Sequence, residues 1–286
     1  MKQQLVLALE DRIDQLVKRK KAKEEKVIKK LDSLMKRKAA LVKATGKGKI
    51  VTIERGEGQD QISYQVHLKY LIKQSDLMYI EEEIEQRKAS FFKNKLVQDQ
   101  ETSVEYPKHE TDLPEFVEET ERVTYIYDRL KAVRYAETWW DDYNPAYKKF
   151  EVDCTNYISQ CLHAGGAPMR GHPNRGKGWW YQNNNWSYSW SVANALKIHL
   201  GSSTVGLRAQ EVNDPRELKL GDVICYDFQG DGRFDHNTIV TAKDAAGEPL
   251  VNAHTYNSRM RYWAYEDSTA YTPNIQYKMY TIIDDS

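Results

Sequence analysis

Apolar positions in the first forty residues recur with the period of an amphipathic helix. Between Leu5 and Val42 they fall mostly three or four positions apart, which predicts one apolar stripe along a helix. Lys20 and Lys23 interrupt this stripe. A helical hairpin therefore fits better than a coiled coil with an unbroken seam.

The period changes after this stripe. Apolar and polar residues alternate over 50–53 and 62–68, on either side of Gly56-Glu57-Gly58, which predicts a β-hairpin. Ser75-Asp76 is typical of a helix start and predicts a second helix, with an apolar stripe that packs antiparallel on the first. We therefore expect residues 1–100 to form a helical hairpin, coiled-coil-like module with an inserted β-hairpin, and to bind a protein partner.

Residues 101–122 are rich in Glu, Asp, Thr and Pro and poor in large apolar side chains. This composition predicts an acidic linker. From 123 to 286 the pattern runs from two helices through an aromatic-rich loop to several strands. This order predicts a separate domain of the α+β class, in which the helix that begins at Cys154 packs on an antiparallel sheet.

The zero net charge of the 286-residue chain conceals a division. Residues 1–49 hold 16 Lys and Arg against 6 Asp and Glu, a charge of +10, and the rest of the chain carries −10. Charge runs on amphipathic helices usually serve solubility. The pattern therefore favours a solvated helix surface over a nucleic-acid-binding arm.

The three cysteines, Cys154, Cys161 and Cys225, have no Cys-x-x-Cys spacing, so we expect free thiols, no metal and no organic cofactor. The apolar stretch Leu5 to Leu9 is too short for a secretory signal, and no run approaches the length of a membrane helix. We expect a cytoplasmic protein that does not bind membranes, and leave export by another route open.

Cys154 is the strongest candidate for chemistry because Asp153 before it is a good N-cap residue. The unpaired N–H groups and the dipole of a helix N-terminus favour a thiolate, which is the nucleophilic form of cysteine. We therefore expect Cys154 to ionise below pH ~8.5, the pKa of a free cysteine. Cys161 and Cys225 fit inert packing instead.

Two downstream histidines complete a candidate site. His236 opens a predicted strand after Gly230-Asp231-Gly232, and alternation places Asn252 and His254 on one face of the next strand. If the strands are antiparallel neighbours, His236 and His254 lie side by side and face the helix of Cys154. This arrangement suits a thiol nucleophile, an imidazole base and a polar side chain that orients the base.

These motifs resemble the putative amidase domain family of spore-forming Gram-positive bacteria, which belongs with papain-like, NlpC-type cysteine peptidases and amidases. The resemblance covers residues 123–286 and rests on Tyr127-Asp128-Arg129, Asp153 to Gln160, Gly178 to Tyr181, Gly221-Asp222-Val223, Asp235-His236 and Ala253-His254. It implies a papain-like fold in which Cys154 is the nucleophile, His236 the general base and acid, and His254 the third member. The implied substrate is an amide of a peptide or of a peptidoglycan stem, with a role in the cell wall or in sporulation.

Several alternatives stay open at this point. Asn252 or Asn257 fits the third catalytic position as well as His254 does. Trp179, Trp180, Trp186 and Asn252 are the candidates for substrate binding, and core packing is the alternative for the tryptophans. The same Cys–His site also suits acyl or amide transfer, and a non-catalytic adaptor is the alternative of another class.

Overall fold

The computed structural model describes residues 1–18, 22, 24–102 and 123–286. The chain divides into two compact units. The first comprises Met1–Val104 and Tyr256–Ala270, and the second Glu105–Thr255 and Tyr271–Ser286. Most of the acidic linker expected at 101–122 lies outside the described residues, so that expectation stays a prediction.

The first unit combines two helices with a long antiparallel sheet. Its elements are α1 (Lys2–Lys18), α2 (Glu25–Lys36), β1 (Ala39–Arg55), β2 (Gln59–Gln74), β3 (Leu77–Phe92) and β4 (Lys95–Glu101), with β11 (Ser258–Tyr262) from the later segment. The strands lie in the order β1-β2-β3-β11, and β4 pairs with the Arg87–Phe92 end of β3.

The second helix expected in this unit is wrong, because Ser75 to Phe91 forms a turn and strand β3. Ser75 has φ of +52° and sits in the turn between β2 and β3 instead of capping a helix. The first helical stretch ends at Lys36, and the residues after it form β1. Alternation in β3 was hidden because its buried face carries Glu81, Glu83 and Glu85 in place of apolar residues.

Those buried glutamates are neutralised by basic side chains of the helices. Lys26 Nζ lies 2.6 Å from Glu85 Oε1 and 3.0 Å from carboxylate oxygens of Glu83 and Glu101. Burial lowers the pKa of Lys26, but these carboxylates outweigh burial and leave the pKa raised. The interpretation of the basic run as a solvated surface is therefore wrong for Lys26, which is enclosed in an ion-pair network.

The second unit is an α+β fold with an antiparallel sheet, as expected. Its helices are α3 (Arg129–Trp139), α4 (Cys154–Ala164), α5 (Tyr188–Ser191) and α6 (Ala193–Ser202), and a short hairpin is formed by β5 (Tyr181–Gln182) and β6 (Asn185–Trp186). The main strands are β7 (Arg208–Val212), β8 (Val223–Asp227), β9 (His236–Lys243), β10 (Pro249–Ala253) and β12 (Gln276–Ile283), in the order β10-β9-β8-β12-β7.

The core of this unit forms where α3, α4 and α6 cover the sheet. Tyr157, Ile158 and Cys161 of α4 pack in one apolar cluster with Cys225 of β8 and Ile239 of β9. The face of β9 that carries Ile239 is therefore the face that meets α4. This packing brings the N-terminus of α4, and with it Cys154, to the start of β9.

Candidate active site

Cys154 is the first residue of α4, and its side chain is buried, with 1% of the residue exposed. The helix begins here because Thr255, from the turn after β10, satisfies its first backbone donors. Thr255 Oγ1 accepts hydrogen bonds from the N–H groups of Asp153 and Cys154, each at 3.1 Å. A hydroxyl from a distant part of the chain thus takes the role that a capping side chain usually has.

Asp153 occupies the N-cap position, but its carboxylate makes no capping bond to the helix backbone, contrary to the expectation. Oδ1 accepts from the Phe150 N–H at 3.0 Å and from Asn156 Nδ2 at 2.9 Å. Oδ2 lies 2.9 Å from His254 Nδ1. The carboxylate is therefore a buried anchor that ties the loop before α4 to the end of β10.

Four residues place polar groups around the sulfur of Cys154. Sγ lies 3.7 Å from Thr155 Oγ1 and 4.0 Å from the carbonyl oxygen of Asp235. Burial raises the pKa of the thiol, and hydrogen bonds from the Asn237 N–H and from the Thr155 and Thr255 hydroxyls only partly offset this. The expectation of a thiolate below pH ~8.5 is therefore wrong for this conformation, in which desolvation exceeds the effect of the helix N-terminus.

His236 begins β9, as predicted, and the main chain on both sides of it reaches the sulfur through Asp235 O and Asn237 N–H. Its ring lies elsewhere. The ring centroid is 5.7 Å from that of Tyr226, its partner in the β8–β9 register, and 6.0 Å from that of Phe228.

Asn237 faces α4, because its Nδ2 donates to Thr155 Oγ1 at 3.1 Å. Alternation then assigns the ring of the preceding residue, His236, to the other face of the sheet. Since Cys154 lies at the N-terminus of α4, the structure brings the backbone at His236, but not its ring, to the thiol.

His254 follows β10 and lies on the helix-facing side, as the alternation predicted. Its Nδ1 contacts Asp153 Oδ2, its Nε2 lies 2.6 Å from the carbonyl oxygen of Trp139, and its ring stacks on Tyr157 at 4.0 Å. Both polar partners are acceptors, so both hydrogen bonds form only if each ring nitrogen carries a proton. His254 and His236 are not side by side as expected, because they face opposite sides of the sheet.

The two asparagines considered for the third position also have other surroundings. Asn252 is buried, donates through Nδ2 to Glu137 Oε1 at 2.8 Å, and accepts from Thr241 Oγ1 at 2.9 Å. These bonds link β10 to α3 and to β9. Asn257 belongs to the first unit, where its carbonyl oxygen accepts from the Ile84 N–H.

The tryptophans expected to line a substrate cleft divide into two groups. Trp179 and Trp180 are each 1% exposed, and their indole N–H groups donate inside the protein, to Ser159 Oγ and to the Asn174 carbonyl. The cleft interpretation is therefore wrong for these two, because their faces are used in packing. Trp186 is half-buried on β6 and keeps part of its surface in solvent.

Thr155, Asn237 and Thr255 are the residues of this site that sequence reasoning missed. Thr155 and Asn237 directly follow Cys154 and His236, so adjacency to the candidate residues was the only signal available. Thr255 is identifiable from its backbone, with φ of +78°, which a β-branched residue rarely adopts. No sequence pattern predicts such a backbone conformation at a threonine.

Among residues 1–18, 22, 24–102 and 123–286, no group of three or more His, Cys, Asp or Glu side chains is arranged to hold a metal ion. Within the same ranges, no helix has the length and apolar composition to span a bilayer.

Comparisons with known proteins place this chain in a family. Residues 126–280 match the model of the putative amidase domain. The uncharacterized protein YhbB of Bacillus subtilis (strain 168) is 54% identical over 263 residues, covering 88% of this chain and 84% of that protein. The uncharacterized protein YjcM of the same strain is 32% identical over 140 residues, covering 46% of this chain and 31% of that protein. No solved structure matches the chain. The match over more than half of its residues shows that this chain belongs to the putative amidase domain family.

Proposed function

We propose that this protein hydrolyses amide bonds with Cys154 as the nucleophile, on a papain-like arrangement of the second unit. The observation that carries the proposal is the position of the Cys154 sulfur. It lies at the N-terminus of α4 and against the main chain that flanks His236. A thiol at a helix N-terminus next to a histidine-bearing strand has the parts that nucleophilic acyl transfer needs.

In the proposed reaction the His236 imidazole takes the proton of the Cys154 thiol, and the thiolate attacks the amide carbon. The backbone N–H of Cys154 stabilises the oxyanion. His236 then gives the proton to the departing amine, which leaves an acyl group on Cys154. Water attacks this thioester with His236 again as base, so the carboxylic acid is released and the thiol is restored.

This mechanism requires the described conformation to open. The thiol is buried, and the His236 ring lies on the other face of the sheet against Tyr226 and Phe228. The start of β9 therefore has to rearrange before the ring can reach the sulfur and accept the proton. In the proposal His254 is a positioning residue. Its contact with Asp153 holds the loop before Cys154, whereas the sequence suggested that it orients His236.

The proposed substrate class is an amide of a peptide or of a peptidoglycan stem. The test is a digest of purified peptidoglycan and of a peptide library by the full chain, followed by mass spectrometry, with Cys154→Ser beside the wild type. Cys161→Ser is the matched control, because Cys161 is a buried thiol on the same helix. We expect new amine and carboxylate termini with the wild type and with Cys161→Ser, and none with Cys154→Ser. Cleavage retained by Cys154→Ser refutes the proposed nucleophile. A primary amine added to the digest separates hydrolysis from acyl transfer, because only acyl transfer joins the amine to the product.

A binding module without turnover is the second candidate, and one observation favours it. The Cys154 thiol is enclosed and its pKa is raised, as in a cysteine that serves packing alone. The same digest separates the two candidates. A pure binding module leaves every substrate intact, and its Cys154→Ser variant binds the same ligands as the wild type.

A further inference from the structure

Thr255 has a backbone conformation that its side chain disfavours. Its φ is +78°, in the left-handed region where a β-branched residue is strained. It directly follows His254, which is anchored to Asp153. A strained residue of this kind persists only where surrounding contacts hold it in place. For Thr255, these contacts include the hydrogen bonds of its hydroxyl.

The hydroxyl oxygen of Thr255 sits where a reacting oxygen would sit. It lies 3.1 Å from the backbone nitrogens of Asp153 and Cys154 and accepts from both N–H groups. The same hydroxyl also lowers the pKa of the Cys154 thiol, against the raising effect of burial. Two backbone donors that converge on one oxygen beside a nucleophile have the geometry of an oxyanion site, in which donors lie about 2.7–3.1 Å from the oxygen.

We propose that the Thr255 hydroxyl occupies the oxyanion position of the Cys154 site and that it must leave this position before a substrate can react. The inference rests on the proposed function and adds to it an internal contact that keeps the site closed. The strained backbone of Thr255 favours its departure, because a displaced Thr255 relaxes to an ordinary conformation.

The exposure of the residues around the sulfur points to Thr255 as the movable part. Thr155 and Asn237 are buried, whereas Asp235 and Thr255 are half-buried. Asp235 meets the sulfur through its main chain, beside strand β9. Thr255 meets it through a side chain on a turn, so it can withdraw without disrupting the sheet.

The test compares alkylation of Cys154 by iodoacetamide in the wild-type full chain, Thr255→Gly, Thr255→Ala and Thr255→Ser. Mass spectrometry gives the rate for each cysteine across pH, and the plateau at high pH is compared so that changes in thiol pKa do not enter. Cys161 and Cys225, both buried, are internal controls for global unfolding.

Without the hydroxyl, in Thr255→Gly and Thr255→Ala, we expect the plateau rate at Cys154 to rise about tenfold, the factor that one net hydrogen bond corresponds to. Thr255→Ser keeps the hydroxyl and is expected to keep the slow rate. The apparent pKa for alkylation of Cys154 is expected to rise in Thr255→Gly and Thr255→Ala, because a donor to the thiolate is lost. A purely structural role of Thr255 does not combine a higher apparent pKa with a faster plateau rate.

A plateau in Thr255→Gly and Thr255→Ala that equals the wild-type value overturns the proposal, and so does a rise that Thr255→Ser shares. If Thr255→Gly labels all three cysteines rapidly, it is unfolded, and Thr255→Ala decides. Hydrolysis separates this inference from the proposed function. Full activity in Cys154→Ser refutes the nucleophile, whereas an inactive Cys154→Ser with unchanged plateaus in the Thr255 variants refutes only the role of Thr255.

Discussion

The contact between Asp153 and His254 predicts a stability difference between two substitutions at one position. The Asp153 carboxylate accepts from the Phe150 N–H, from Asn156 Nδ2 and from His254 Nδ1, all within 3.0 Å. Both Asp153 and His254 are at least 98% buried. Removing the carboxylate therefore leaves three donors without water to replace it.

Asp153→Ala is expected to lower the free energy of unfolding by about 3–5 kcal/mol, because three buried donors lose their acceptor and each unsatisfied donor costs about 1–3 kcal/mol. Asp153→Asn is expected to cost only about 1–2 kcal/mol. Its carbonyl oxygen still accepts from Phe150 and Asn156. Its amide can donate to a neutral His254 ring, whose Nε2–H still bonds the Trp139 carbonyl.

The assay is urea unfolding followed by tryptophan fluorescence, which reports mainly on the second unit because six of the seven tryptophans lie there. Asp128→Ala is the matched control. Asp128 caps α3 through the Lys131 N–H at an exposed site, and a lost cap costs about 1 kcal/mol. If Asp153→Ala costs no more than Asp128→Ala, or if the Asn and Ala variants are equally destabilised, the buried-anchor interpretation is refuted.

Three further predictions concern other parts of the protein. Gly165→Ala places a methyl group against the buried ring of Tyr127, so overpacking is expected to destabilise the second unit by about 1–3 kcal/mol in urea unfolding, and unchanged stability contradicts this. Burial raises the pKa of Glu101 to about 7 against the lowering effect of Lys26, so the folded chain holds this proton more tightly than the unfolded chain. The stability that this group contributes is complete below pH ~4.5 and is lost as the pH rises toward ~7. At pH 8, Glu101→Gln is therefore expected to be more stable than the wild type in urea unfolding followed by circular dichroism. Equal or lower stability of the variant contradicts this. Because burial raises the pKa of Cys154, the rate of its alkylation in the wild type is expected to be low at pH 7 and to increase beyond pH ~9. Mass spectrometry after labelling at a series of pH values measures this rate. Complete labelling below pH ~8.5 contradicts the described site.

The second unit was predicted well because its signals are local. A helix starting at Cys154, a strand opening at His236 and a strand with Asn252 on one face all follow from capping residues and alternation. The first unit was predicted poorly. Strand β3 carries consecutive glutamates, which have low strand propensity. Basic partners that include Arg12 of α1 and Lys26 and Lys30 of α2 make their burial tolerable.

Side-chain directions at the site were the least predictable part. The sequence places His236 and His254 on successive strands, but it does not specify the face on which the first residue of β9 points. The capping of α4 by Thr255 depends on a left-handed residue 101 positions away from Cys154, which no local pattern encodes. The raised pKa of the thiol follows from this enclosure, so it could not be read from the helix start alone.

The central claim is that Cys154 carries the acyl group during amide hydrolysis. Its most direct test is rapid acid quenching of the wild-type chain during turnover of a cleaved peptide or peptidoglycan fragment, followed by digestion and mass spectrometry. We predict a mass increase equal to the acyl half of the substrate on the peptide that contains Cys154, and none on those with Cys225. Turnover with Cys154 unmodified at every quench time, together with undiminished turnover in Cys154→Ser, contradicts the account.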